Sequence, residues 1–167
     1  MSNRLSTAVT AYIGLGSNLE DPVEQILSAR AACAVLPCVT ELAFSSLYSS
    51  PPMGPQDQPD YVNAVMAVRT DLPALSLLQS LQRIENKHGR VRSGERWTAR
   101  TLDLDLLLYG EQCIVTPELT VPHPGLGVRA FVLYPLFEIA PDLIVPGMGL
   151  VSDLVAKCPL DGLKRVQ

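Results

Sequence analysis

The chain has 167 residues, close to the length of one domain, with 47% hydrophobic and 18% charged residues; that is enough apolar material for a sizeable core and too little charge for a disordered chain. Thirteen Lys and Arg against 17 Asp and Glu leave a formal charge of -4, which argues against a general nucleic-acid binder needing a basic surface. No apolar run approaches the ~20 residues of a membrane helix, and Cys33, Cys38, Cys113 and Cys158 show neither CxxC pairing nor enough partners for a zinc site. A reduced, cytoplasmic protein is the expectation. Residues 1–8 read as a polar, flexible leader without a signal-peptide core. With no repeat or linker in view, a single domain over residues 1–167 is expected.

In chain order, Ala8 to Ile13 predicts a short strand ended by Gly14-Leu15-Gly16-Ser17-Asn18. Asp21-Pro22-Val23-Glu24 has the makings of a helix start, with Asp as N-cap and Pro in the first turn. Val23, Ile26, Leu27, Ala34 and Val35 then recur at helical spacing up to Pro37. Val39 to Tyr48 predicts a strand, and Tyr61 to Arg69 another beyond a Pro/Gly-rich loop. Ala74, Leu77, Leu78, Leu81, Ile84 and His88 mark a second amphipathic helix, with Gly89 just past its end. Leu102 to Tyr109 predicts a fourth strand. Gly110-Glu111 then turns towards a short partner around Cys113 to Val115, and Arg129 to Ile139 reads as partly helical. The order β-α-β-β-α-β predicts an α+β, ferredoxin-like core: an antiparallel sheet with two helices on one face, extended by C-terminal elements.

The fourth strand carries the first chemical signal. Alternation sends Leu102, Leu104, Leu106 and Leu108 to one face and Asp103 and Asp105 to the other. Two carboxylates at i and i+2 repel unless something pairs them. A divalent cation does so, and hard oxygen donors suit magnesium bound together with substrate phosphates. Taken alone, so short a pattern as Asp-x-Asp more often marks a solvent-facing edge strand with two ordinary surface acids.

The neighbourhood favours phosphate. Arg83, Lys87, Arg90, Arg92, Arg96 and Arg100 face only Glu85 and Glu95, so residues 83–100 carry +4 in a chain of -4. Forked guanidinium donors beside an acid pair are what a polyphosphate needs. The stretch from His88 to Thr101 lacks periodicity, includes Gly89, Ser93 and Gly94, and holds Trp97, the sole tryptophan; it reads as a mobile loop. On the third strand Tyr61, Asn63 and Val65 share one face, and Val62, Ala64, Met66 and Val68 the other. With the apolar set on the helices, Tyr61 and Asn63 join Asp103 and Asp105 on the open face. An aromatic ring plus an amide can stack on and hydrogen-bond a flat heterocycle. The proline-rich loop from Ser50 to Asp60 leads into this strand and is stiff enough to present backbone groups.

Four stretches together resemble the 6-hydroxymethyl-7,8-dihydropterin pyrophosphokinase family. They are Tyr12 to Leu19; Pro51 to Asn63; Gly89-Arg90-Val91-Arg92 with Arg96-Trp97 and Arg100-Thr101-Leu102-Asp103-Leu104-Asp105; and Thr120 to Pro124 with Arg129 to Leu136. The resemblance implies pyrophosphate transfer from ATP to the hydroxymethyl group of the dihydropterin in folate biosynthesis, releasing AMP. It assigns two magnesium ions to Asp103 and Asp105, catalytic phosphate contacts to Arg90 and Arg100, and a lid with Trp97 as aromatic plug against the pterin. The pterin would lie between Tyr61 and Phe131, its polar edge read by Asn63 and by main-chain groups of Ser50 and Pro52. Gln82, Glu85, Arg92, Arg96, Leu106, His123 and Arg129 match ATP-side positions. Two departures stand out: Thr98 replaces the usual small residue, and Pro124-Gly125-Leu126-Gly127 follows His123 where members often carry Tyr, Arg or Lys, so no phosphate contact is carried over there.

A nucleotide-sugar transferase also uses Asp-x-Asp with a divalent ion, but needs a nucleotide-binding α/β domain that this chain lacks. A metabolite-sensing ferredoxin-like module has no use for an arginine cluster facing paired acids. A monomer acting on ATP and the pterin, without nucleic-acid or membrane partners, is the expectation.

Overall fold

In a computed structural model, which describes residues 8–18, 21–51, 59–88 and 102–166, the first strand, β1, runs Val9–Ser17. It continues through Gly14 and Gly16, where the sequence predicts an end. β1 is paired antiparallel on both sides, to β4 (Tyr61–Thr70) and β5 (Asp103–Tyr109). Ladder hydrogen bonds from both neighbours hold the glycines extended despite their weak strand preference. Residues 1–7 of the expected leader lie outside the described residues.

Helix α1 (Pro22–Ala34) has Pro in its first turn as expected. Asp21 differs from the expected N-cap: it adopts a left-handed backbone (φ 58) and makes no side-chain cap bond. Its carbonyl accepts the Gln25 N–H at 3.0 Å, so the backbone starts the helix instead. Ile26, Ala29 and Cys33 are buried, whereas Val35 is 79% exposed. Burial, then the nearby Glu41 charge, pushes the Cys33 thiol up to about 12, and all four cysteines are unpaired.

The predicted strand from Val39 to Tyr48 is two strands, β2 (Val39–Phe44) and β3 (Tyr48–Ser50), following each other along the same edge of β4. Ser45 bridges the break. Its N–H donates to the Val65 carbonyl at 2.9 Å, and its hydroxyl accepts the Val65 N–H at 2.9 Å. One side chain thus replaces the missing ladder partner.

Helix α2 (Ala74–Lys87) leads towards β5. The six-stranded sheet has the order β10-β3-β4-β1-β5, with β2 also on β4, where β10 is Lys164–Arg165. This is the predicted β-α-β-β-α-β topology. The short strand β6 (Ile114–Val115) pairs with β7 (Thr120–Val121) rather than with the main sheet. A 3-10 turn (Leu126–Val128), helix α3 (Ala130–Ile139), the hairpin β8 (Ile144–Val145) and β9 (Gly149–Leu150), and helix α4 (Val151–Ala156) complete the chain up to β10.

Two cores flank the sheet. One packs Ile13, Leu15, Met66 and Leu104 against Ile26 of α1 and Leu77 and Leu81 of α2. The other packs Val65 and Leu108 against Leu133 and Leu136 of α3 and Val151 of α4. A fully buried leucine such as Leu81 or Leu133 contributes ~1.5–3 kcal/mol. Burial explains why α3 runs through Pro135: the ring forgoes one helical hydrogen bond but is buried in the second core.

At its C-terminal end α3 is latched to the sheet edge through Glu138. Its carboxylate accepts the Ser46 N–H at 3.1 Å, the Ser46 hydroxyl at 2.9 Å and the Tyr48 hydroxyl at 2.6 Å. Partial desolvation would raise the Glu138 carboxyl, but the bonds from Tyr48 and Ser46 and the Arg165 charge outweigh it and hold it below its usual value. A depressed carboxyl stabilises the fold above its unfolded pKa, and that stability is lost as pH falls through the folded value. Glu138→Gln should therefore cost on the order of 1 kcal/mol at pH 7, kept small by solvent screening. In urea unfolding, the gap between the wild type and the variant should close as the pH falls below about 4.

Candidate active site

The face of the sheet away from α1 and α2 carries an open cleft of about 190 Å³. On β5 the predicted alternation holds through Leu107: Leu104 and Leu106 enter the helix-side core, while Asp103, Asp105 and Leu107 line the cleft. It then breaks. The β1 register steps from Tyr12↔Leu108 to Ile13↔Leu106, leaving Leu107 as the extra residue of a bulge. Leu108 consequently joins Leu107 in the second core, not Leu104 and Leu106 as alternation predicts, and Tyr109 returns to the first.

Across the cleft, β4 presents Tyr61 and Asn63, and Ser50 and Pro51 close that side. The floor is β1, with Gly14 and Gly16 between the two strands. Gly16 is the cross-strand partner of both Asn63 and Asp103, and Gly14 of Val65 and Asp105. By sequence alone these glycines predict the end of a strand. The overlooked signal was their i, i+2 spacing, which bares one face of a strand. Asp103 is half-buried and Asp105 exposed.

The third wall comes from α3, which brings Arg129, Phe131 and Val132 to the cleft. The Arg129 guanidinium lies 5.8 Å from the centroid of the Phe131 ring. Gly125 makes room for it: a Cβ there would sit 2.5 Å from Arg129 Nε and 2.6 Å from Cζ. The departure at Pro124-Gly125 thus removes one side chain and accommodates another. Because the clash falls on a flexible side chain, Gly125→Ala should fold normally yet displace Arg129. Titration with an ATP analogue should show affinity down by about fivefold, or ~1 kcal/mol. His123 lies in the turn before Arg129. Its N–H donates to the Leu107 carbonyl at 2.9 Å, and its Nδ1 accepts the Gly125 N–H at 3.1 Å. The neutral ring therefore carries its proton on Nε2.

Of the expected ATP-side residues that are described, Arg129 lines this cleft, His123 does not, and Gln82, Glu85 and Leu106 lie away from it. Glu85 is buried and accepts the Leu104 N–H at 2.7 Å, supporting the start of β5 from the helix side. Gln82 is exposed on α2, and the Leu106 side chain is buried in the helix-side core. Gln82, Glu85 and Leu106 belong to the opposite face because α2 packs there, a relation their spacing along the chain does not reveal. Pro52, Arg90, Arg92, Arg96, Trp97, Thr98 and Arg100 lie outside the described residues. Among the described residues no helix is long and apolar enough to cross a membrane.

Fold and cleft define a class: a ferredoxin-like α+β domain whose open sheet face joins paired carboxylates to an aromatic and amide wall. The chain belongs to the 7,8-dihydro-6-hydroxymethylpterin-pyrophosphokinase (HPPK) family, whose profile matches residues 12–141. A 2-amino-4-hydroxy-6-hydroxymethyldihydropteridine pyrophosphokinase of Haemophilus influenzae is 54% identical over 147 residues, covering 88% of this chain and 91% of that protein. The Pseudomonas aeruginosa protein of the same name is 51% identical over 155 residues, 93% of this chain and 95% of its own length. In fold, the chain resembles a crystal structure of Plasmodium falciparum HPPK-DHPS with a TM-score of 0.73 at 14% identity. That match covers 90% of this chain and 45% of the solved one.

Proposed function

We infer that this chain transfers pyrophosphate from ATP to the hydroxymethyl group of 6-hydroxymethyl-7,8-dihydropterin in folate biosynthesis, releasing AMP. The observation that carries the reading at residue level is one cleft in which Asp103 and Asp105 face Tyr61, Asn63 and Phe131. Phosphate chemistry and recognition of a flat heterocycle thereby meet within reach of each other.

We assign two magnesium ions to the acid pair, since magnesium is commonly held by one or two carboxylates plus substrate phosphates and water. When bound, magnesium neutralises charge on the ATP phosphate oxygens. The remaining work falls to the chain. Tyr61 and Phe131 sandwich the pterin, while Asn63 and main-chain groups of Ser50 and Pro52 orient it. Arg129, which lines the cleft, and His123 from the turn before it bind nucleotide phosphates. Arg90 and Arg100, with Arg92 and Arg96 on the same arginine-rich stretch, supply guanidinium donors to the phosphates, and Trp97 supplies a ring to the pterin. The hydroxymethyl oxygen attacks the β-phosphorus of ATP in line; positioning and charge stabilisation lower the barrier. A single-domain monomer working in the cytoplasm completes this reading.

Isothermal titration with an ATP analogue, magnesium and 6-hydroxymethylpterin tests this. Pterin binding should strengthen once nucleotide and magnesium are present. A sensor module would bind the pterin regardless of nucleotide, and a nucleotide-sugar transferase would bind nucleotide and ignore the pterin.

A further inference from the structure

The amide of Asn63 is held from two sides by groups whose side-chain chemistry the mechanism above does not use. Its Oδ1 accepts the Ser50 hydroxyl at 2.8 Å, in a pair where Ser50 is 6% and Asn63 7% exposed. Towards β1 stands its cross-strand partner Gly16, where a Cβ would come 3.1 Å from Asn63 Nδ2. That is closer than ordinary contact, so the bare backbone at Gly16 is what leaves the nitrogen its place. Ser50 uses one lone pair of Oδ1. The other lone pair and the Nδ2 donors stay available to a ligand.

We propose that the Ser50 hydroxyl and Gly16 fix which way round Asn63 faces the cleft. The fixed amide then selects a lactam edge, a ring N–H beside a ring carbonyl, over the amidine edge of a 2,4-diaminopteridine. This rests on the pterin reading above and adds a selectivity element to it. An asparagine amide offers one acceptor and one donor side by side. One orientation matches a lactam; turned over, the same amide matches an amidine, whose ring nitrogen accepts and whose amino group donates. Among the described residues, the hydroxyl of Ser50 distinguishes the two. As observed, its proton goes to Oδ1. Against a turned amide the hydroxyl must accept from the NH₂, and its own buried proton loses its acceptor, a penalty that falls on the turned state alone. The antiparallel pairing of β3 with β4, Tyr48 opposite Asn63 and Ser50 opposite Tyr61, keeps the serine in place.

The test measures dissociation constants of 6-hydroxymethylpterin and its 2,4-diamino counterpart on the full chain with magnesium and an ATP analogue present. The wild type should prefer the lactam, and Ser50→Ala should reduce that preference about tenfold, chiefly by gaining the diamino ligand. Ser50→Thr should restore the preference. Ser50→Cys, a weaker donor of similar shape, should fall between and serves where the alanine variant does not fold. Gly16→Ala should also reduce the preference, because the displaced Nδ2 no longer meets the ring carbonyl. A merely structural serine would weaken both ligands equally, and an unchanged ratio in Ser50→Ala overturns the proposal while the pterin reading stands. If the wild type binds neither ligand, the pterin reading itself falls and this inference with it.

Discussion

Replacing either Asp103 or Asp105 by alanine should remove at least about 100-fold of turnover, the scale on which groups stabilising developing charge act. The two stand at i and i+2 on β5, on the cleft side of the sheet, with Gly16 and Gly14 as their partners across β1. Neither side chain enters a core, so the fold should survive both changes. Pyrophosphate transfer assayed on each variant, alongside circular dichroism and thermal melting, separates lost chemistry from lost structure. Chelation gives the same answer by another route, since excess EDTA should abolish turnover of the wild type. Undiminished activity in EDTA would sink the metal assignment, whatever the variants do.

Phe131→Ala carries the second large effect. The residue stands in the first turn of α3 and lines the cleft together with Tyr61. Its removal takes away stacking and apolar contact worth about 1–3 kcal/mol, so pterin affinity should fall by roughly 5- to 150-fold. Nucleotide affinity should change little. The helix should remain, because its buried residues, among them Val132, Leu133 and Leu136, are untouched. If nucleotide affinity drops and pterin affinity holds, the two pockets are assigned the wrong way round.

What the sequence by itself determined is local and periodic. The β-α-β-β-α-β order follows from runs of apolar residues at periods near 2 and 3.6. So does the sharing of one strand face by Asp103 and Asp105, and likewise by Tyr61 and Asn63 on their own strand, since alternation along a strand needs no knowledge of its neighbours. Family resemblance added Phe131, Arg129 and His123, which no local pattern marks as functional. The tertiary structure decided where these pieces meet. Pairing on both flanks carried β1 through Gly14 and Gly16 and made the glycines a floor. The β5 bulge turned Leu108 to the second core, and the packing of α2 on the far face directed Glu85 to the Leu104 N–H instead of the cleft. Cross-strand register and the face on which a helix docks are set by contacts between residues far apart in the chain. A one-dimensional pattern specifies each element's faces and leaves open which element each face will meet.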